Sequence, residues 1–351
     1  MIENSHIPRY EAVRVFLDGF FDYAGLFPPA SLPLENAITE YARYRVSADK
    51  WMIGPFVCHV SSLDDLNAFG HLFEKSPPFR FSILIRPAND SDEFLSVTQE
   101  DLDTMHRFVE RHAGNVTTDM IEAHVPADSS MNRQKANSLV SGLRSLEANG
   151  PLVPGSIFLE VSRDEGFADR LKNMASAIVM SEESSEVSSG YSSLPSSTRI
   201  GLKLRCGGMD RLDFPTSEQI ATFLKTVTRH GVLFKATAGL HHPVRHLDVK
   251  SGFMMHGFLN VFFAAALDAV HDIPDHTMIQ VLEELDAATF QFSDDGIQWR
   301  DLAISTAALA QIRERMASSI GSCSFDEPRA DLVSLEWLSP ESAIKSGNPT
   351  V

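Results

Sequence analysis

Read from one end to the other, the chain alternates between two kinds of segment. Short runs rich in aromatic and β-branched residues are each followed by a longer stretch with apolar residues at helical spacing. The short runs are "GFFDYAGLF", "WMIGPFVCHV", "FRFSILIRP", "TDMIEAHVP", "GSIFLEVS", "RIGLKLRCGG", "GVLFKATAGL" and "AATFQFSDD". Strands that alternate with helices argue for a parallel sheet covered by helices. Eight such units in order predict an α/β chain folded as a single (β/α)8 TIM-type barrel, with residues 287–295 as the eighth strand. The alternative is a doubly wound open parallel sheet. No G-x-G-x-x-G follows the first run, which argues against a dinucleotide-binding version of that fold.

The 351 residues suffice for two domains or for one large barrel. The rhythm favours one barrel over residues 1–340. Ser62 and Thr216 are expected to cap helices, and Gly114 and Gly231 to stop them. One helix is expected over 62–75 and another over 99–114. The segment "SEESSEVSSGYSSLPSS" holds nine serines among seventeen residues. It is too polar to bury itself, so a mobile insertion is expected over 181–198, and a disordered tail over 341–351.

Composition sets the setting of the chemistry. Net charge is −17, with no basic run. An acidic surface repels nucleic acid and anionic membrane, so a small molecule is the expected partner, with homo-oligomerisation left open. "GFLNVFFAAALDAV" is too short and interrupted to span a bilayer, and the charged N-terminus does not read as a signal peptide. Cys58, Cys206 and Cys323 are spaced neither as a disulfide framework nor as a zinc knuckle. Reduced thiols in a cytoplasmic protein are expected.

Against this background, cations inside two strands stand out. Side chains alternate along a strand. If Leu202 and Leu204 face the helices, Lys203 and Arg205 face the barrel axis. By the same phase Lys235 and Thr237 point inward in the seventh run, Glu122 and His124 in the fourth, and Glu160 in the fifth. Arg86 stands at the C-terminal end of the third run, and Asp22 falls early in the first. Isolated buried charges are costly, so these groups are expected to compensate one another. A barrel builds its active site at the C-terminal ends of its strands, where most of them fall. A structural ion network is the competing account.

The residue types permit amine catalysis. A neutral lysine attacks a carbonyl to give a Schiff base. Lys203 or Lys235 would be the nucleophile, with Glu122, His124 or Glu160 moving protons. Arg86 and Arg205, with Asp22, Thr237, His241 and His242, would bind a small anionic or oxygenated substrate. This reading needs no cofactor. "FKATAG" resembles the lysine-bearing "KTSTG" strand of deoxyribose-phosphate aldolases, and "LKLRCGG" is similar to their second "KxSGG" strand. That resemblance implies Lys235 as the Schiff-base residue and Lys203 as its partner. The order of the two motifs is reversed here, and Arg205 and Cys206 have no counterpart. More broadly, "DYAGLFPPA", "LKLRCGG", "FKATAGLHHP" and "HGFLN" together resemble a bacterial protein family of uncharacterised activity.

The loop "GLHHPVRH" offers a second chemistry. His241, His242 and His246, with inward carboxylates, could hold a divalent metal for a hydrolase or isomerase. The same imidazoles could bind substrate directly or cap helices. A non-catalytic small-molecule-binding barrel is the third reading. Asn260, in an apolar helix start, is expected to be a satisfied core amide.

Overall fold

The computed structural model describes residues 6–74, 77–149, 154–188, 198–249 and 251–340. Eight strands pair side by side into a closed barrel. In chain order they are β1 (Phe21–Tyr23), β2 (Ile53–His59), β3 (Phe79–Leu84), β4 (Val116–His124), β5 (Ser156–Glu160), β6 (Arg199–Arg205), β7 (Leu233–Thr237) and β8 (Ala317–Ser322). β8 runs parallel to β1, with Ile320 opposite Phe21. The ladders from β2 through β6 are parallel as well. The closed barrel, not the open sheet, is the fold.

The first seven strands fall on the predicted runs; the eighth does not. Phe290–Phe292 pairs with Gly296–Trp299 and Leu302–Ser305 in a small antiparallel sheet. The closing strand is instead "ASSIGS", which overlaps the end of the helical stretch "DLAISTAALAQIRERMASSI" that follows the eighth run and continues past it. Its residues are small because its neighbours already fill the space. A Cβ on Gly321 would sit 2.8 Å from Thr237 Oγ1, and Ser319 Oγ donates to Asp22 Oδ2 at 2.7 Å. A strand built from serine and glycine carries little of the β-branched signal that marks the others.

Five helices matter below: α1 (Leu34–Tyr44), α2 (Ser91–Arg111), α3 (Phe167–Ser188), α4 (Phe258–His271) and α5 (Asp326–Ser334). α2 begins at Ser91 rather than Gln99 because Asp90 caps it, accepting from the amides of Asp92 and Glu93 at 3.1 and 2.9 Å. Ser62 makes no capping bond, and the helix expected after it breaks into the short turns Leu63–Leu66, Asn67–Phe69 and Gly70–Phe73. Thr216 does cap its helix, its Oγ1 accepting from Gln219 N at 3.2 Å. Gly114 and Gly231 take the left-handed conformation, with φ of +81° and +65°. α3 continues into the serine-rich stretch as far as Ser188. Residues 189–197 and 341–351 lie outside the described residues.

The chain falls into two compact units. One comprises Met1–Gly54, Cys206–Ala221 and Thr237–Val351; the other comprises Pro55–Arg205 and Thr222–Ala236. In the second unit, Phe79 and Phe81 of β3 pack with Phe73 and Phe108, at ring separations of 4.8 Å (Phe73–Phe79) and 5.5 Å (Phe81–Phe108). In the first, α4 is buried on every side from Phe258 to Asp268, as an all-round apolar helix must be. Phe262 meets Phe20 at 4.8 Å. Such edge contacts add about 0.5–1.5 kcal/mol each beyond area burial. Asn260 is satisfied within that core: its Oδ1 accepts from Arg245 N, and its Nδ2 donates to the carbonyls of Val281 and Glu284. Among the described residues, no helix is long and apolar enough to cross a membrane.

Candidate functional site

The second unit gathers the inward charges. On β6, Leu202 and Leu204 are buried outward and Lys203 faces in; on β4, Ile121 and Ala123 flank Glu122. Strand register sets their heights, with His124 opposite Glu160 and Glu160 opposite Lys203. Lys235 Nζ lies 2.6 Å from Glu122 Oε1. Lys203 Nζ lies 3.2 Å from Glu122 Oε2 and 2.8 Å from Glu160 Oε2. Arg205 Nε donates to Glu160 Oε1 at 2.9 Å. Five groups thus alternate in sign, Lys235–Glu122–Lys203–Glu160–Arg205, with three cations and two carboxylates.

Exposure rises along that series. The side chains of Lys235, Glu122, Lys203, Glu160 and Arg205 are 0, 2, 5, 13 and 42% accessible. The array therefore runs from a dry floor to solvent. At its floor Lys235 Nζ sits 3.9 Å from Met120 Sδ and 6.0 Å from the Phe158 ring centre. Gly201 lies inward on β6, below Lys203 in the strand. A Cβ there would come within 2.5 Å of the Leu233 carbonyl and 3.0 Å of the Phe158 ring.

Charge pairing decides the state of the carboxylates. Burial alone would push Glu122 up. The ammonium groups of Lys235 and Lys203, and the hydrogen bonds donated by Lys235 and Ser82, win and hold it far below the usual carboxylate range. Glu160 feels the same contest: burial raises it, but Lys203 and Arg205 bring it to about 2. Both are bases at neutral pH, not acids. His59, at the end of β2, is held below its ordinary range by desolvation and by the charge of Lys203.

Ser82 and His59 escaped the reading of the sequence. Ser82 is buried on β3 and donates to Glu122 Oε1 at 2.7 Å. Its signal was a lone hydroxyl inside the apolar run "FRFSILI". His59 carried the signal of a histidine at a strand's C-terminal end.

Two predicted members of this site stand elsewhere. Arg86 is turned to α2, where its Nε meets Asp101 Oδ1 at 2.7 Å and its Nη2 meets Glu100 Oε2 at 2.8 Å. Arg86 N also donates to Asp101 Oδ2 at 2.8 Å. It serves to tie the end of β3 to a helix. His124 is exposed at the end of β4, its Nε2 3.2 Å from Ser162 Oγ.

The remaining predicted residues belong to the first unit. Asp22 is fully buried and bonded to Ser319. Thr237 ends β7, its carbonyl accepting from Cys206 N at 2.8 Å. His241 Nδ1 is 3.4 Å from Glu327 Oε2, and its Nε2 is 3.8 Å from Cys323 Sγ. Burial would lower His241, but the Cys323 and Glu327 contacts outweigh it and push the imidazole up to about 9. His242 Nδ1 lies 2.5 Å from Asp331 Oδ2. His246 meets the His242 ring edge-on at 4.2 Å and is held below its usual range, by burial first and then by His242. All three histidines line a cleft of about 410 Å³ in this unit, with Phe214, Phe253 and Met255 as apolar walls. Among the described residues, no three His, Cys, Asp or Glu side chains are grouped to hold a metal ion. Within the set His241, His242 and His246, the rings of His242 and His246 meet edge to face, and His241 turns to Cys323.

What the lysine array can do follows from its bonds. It offers an amine between two carboxylates, in a dry setting, near a half-exposed guanidinium. Compared with known proteins, the chain matches no family model and no curated protein, so its chemistry has to be read from these groups themselves.

Proposed function

We propose that this barrel is an enzyme acting on a small anionic or carbonyl metabolite through an amine, by Schiff-base chemistry of the aldolase or dehydratase kind. The observation that carries the reading is the placement of Lys203 between Glu122 and Glu160, at 3.2 and 2.8 Å. Lys203 is the nucleophile, because Lys235 is sealed beneath it at 0% exposure. Lys235 keeps Glu122 ionised and so keeps an anion against Lys203. This reverses the assignment that the aldolase resemblance implies, while keeping both lysines in the site.

Attack requires the Lys203 ammonium to lose a proton, and Glu160 is its closest acceptor. Lys203 and Arg205 together hold that acceptor low. Moving the proton removes the Lys203 share of that hold, so transfer and loss of the amine's charge favour each other. Glu160 then returns the proton to the carbinolamine oxygen as water leaves. Arg205 stands at the exposed end of the series, where a substrate carboxylate or phosphate would meet it.

The test is reductive trapping. Full-length protein is treated with sodium borohydride and, in turn, pyruvate, glyoxylate and glycolaldehyde phosphate, and the modified peptide is found by mass spectrometry. The expected adduct is on Lys203 and is lost in Lys203→Met. No adduct with any of the three compounds, or an adduct that persists in Lys203→Met, overturns the reading.

A further inference from the structure

The cleft of the first unit is built from one hairpin and the segments beside it. The hairpin pairs His246–Leu247 with Met254–Met255, and its register sets His246 opposite Met255. Phe253, just before the second of these strands, meets Phe214 at a ring separation of 5.2 Å. Asp248 in the hairpin's connection and Glu327 in the first turn of α5 line the same space of about 410 Å³. A cleft of that volume encloses a small organic ligand.

The hydrogen bonds already made fix what its imidazoles offer. His246 Nδ1 lies 3.2 Å from the Val244 carbonyl. A carbonyl only accepts, so this Nδ1 carries the hydrogen. Burial and the neighbouring His242 hold the ring below its usual range, so it is neutral at neutral pH and its Nε2 presents a lone pair. His242 is anchored in the same way, its Nδ1 donating to Asp331 Oδ2, which leaves Nε2 on the far side of the ring. Among the described residues, neither Nε2 meets a hydrogen-bond partner. With the carboxylates of Asp248 and Glu327, the polar lining is mainly accepting. His241 is the exception, and its charge is already met by Glu327 at 3.4 Å.

We infer that this cleft binds a primary ammonium group carried on an apolar, ring-sized body. An ammonium has three donors and no acceptor, which suits a lining of lone pairs and carboxylates. A carboxylate or phosphate would instead meet the lone pair of His246 and two like charges. The body lies against Phe214, Phe253 and Met255, and the faces of the two rings also attract a cation. A chain of net charge −17 draws such cations toward it. Every residue in this inference lies in the first unit, so it is independent of the lysine chemistry.

The experiment is isothermal titration calorimetry of the full chain at neutral pH. The three probes share a phenyl ring and differ in head group: phenethylamine, phenethyl alcohol and hydrocinnamate. Phenethylamine is expected to bind at least about ten-fold tighter than the alcohol, and hydrocinnamate more weakly than either. Glu327→Gln is expected to weaken the amine about ten-fold and to leave the alcohol unchanged. His246→Phe, which keeps a ring and removes the acceptor, is expected to weaken the amine about five-fold. Folded Lys203→Met should bind the amine as the unaltered protein does, which separates this site from the array. The inference is overturned if phenethylamine shows no saturable binding up to about 10 mM. It is equally overturned if the alcohol or hydrocinnamate binds as tightly as the amine, if Glu327→Gln leaves the amine's affinity unchanged, or if folded Lys203→Met loses it. Should Glu327→Gln fail to fold, the ranking of the three probes on the unaltered protein decides alone.

Discussion

Along β4 to β7, five charged side chains sit on strand interiors and neutralise one another at 2.6 to 3.2 Å. Around His241 the polar groups come instead from a loop, a strand end and a helix start, and they border a cleft. The difference lies in what holds each group. A ladder fixes the heights of Glu122, Glu160 and Lys203, so an array buried along most of its length can be satisfied internally. A loop fixes less, and its imidazoles lean on partly exposed partners such as Glu327, at 57%. The two regions also answer pH in opposite senses, which gives the comparison its sharpest tests.

The largest effect is expected from Glu122→Gln. Glu122 is the anion shared by two buried lysines, so the neutral amide leaves excess positive charge in a dry site. Removing one partner of a buried pair costs about 3–5 kcal/mol. The denaturant midpoint is expected to fall accordingly, whereas Glu327→Gln in the other region should cost under about 1 kcal/mol. Equal losses at the two positions would erase the distinction between ladder-held and loop-held charge.

Next in size is the acid limb. Folded Glu160 ionises at about 2, against an ordinary 4.5. The unfolded chain therefore binds this proton first as pH falls. The stabilisation is complete above about 4.5 and is lost as pH drops toward 2. The shift corresponds to about 3 kcal/mol. Chemical denaturation between pH 6 and 2 should show the decline, and Glu160→Gln should make it shallower, with Glu122 carrying the rest.

His241 has the opposite sign. Its folded value of about 9 lies above the ordinary 6.5. Its contribution is full below 6.5 and disappears as pH rises through 9. Because Glu327 is largely solvated, the expected size is about 1 kcal/mol. Stability measured from pH 6 to 10 should decline in the unaltered protein and less in His241→Gln. An unchanged alkaline limb in that variant would mean that His241 does not carry the effect.

Much of this was legible in the sequence because strands obey a period of two. Leu202 and Leu204 set the phase of β6, and that phase alone turned Lys203 and Arg205 inward; the same held for Glu122, Glu160 and Lys235. The alternation that gave the barrel failed at β8, because "ASSIGS" is shaped by Asp22 and Thr237 as neighbours and not by a propensity of its own. Ser82 was missed since a buried serine announces itself only through the carboxylate it serves. The Cys323–His241–Glu327 grouping joins residues over eighty positions apart, and no local spacing encodes it. Arg86 failed for another reason: a cation two residues past a strand end can turn to the helix that follows.

That last case supplies the smallest prediction. Arg86→Ala removes a guanidinium that is 47% exposed from Glu100, 63% exposed, and from Asp101, 3% exposed. Solvent screens the Glu100 pair, which is worth little. Asp101 loses the Nε bond but still accepts from the backbone amide of residue 86, which alanine keeps. The expected cost is about 1 kcal/mol, read as a small drop in denaturant midpoint. Borohydride trapping at Lys203 should proceed at an unaltered rate. If trapping at Lys203 instead fell ten-fold or more while stability held, Arg86 would be a substrate anchor after all, and the array's boundary would have to be redrawn to include it.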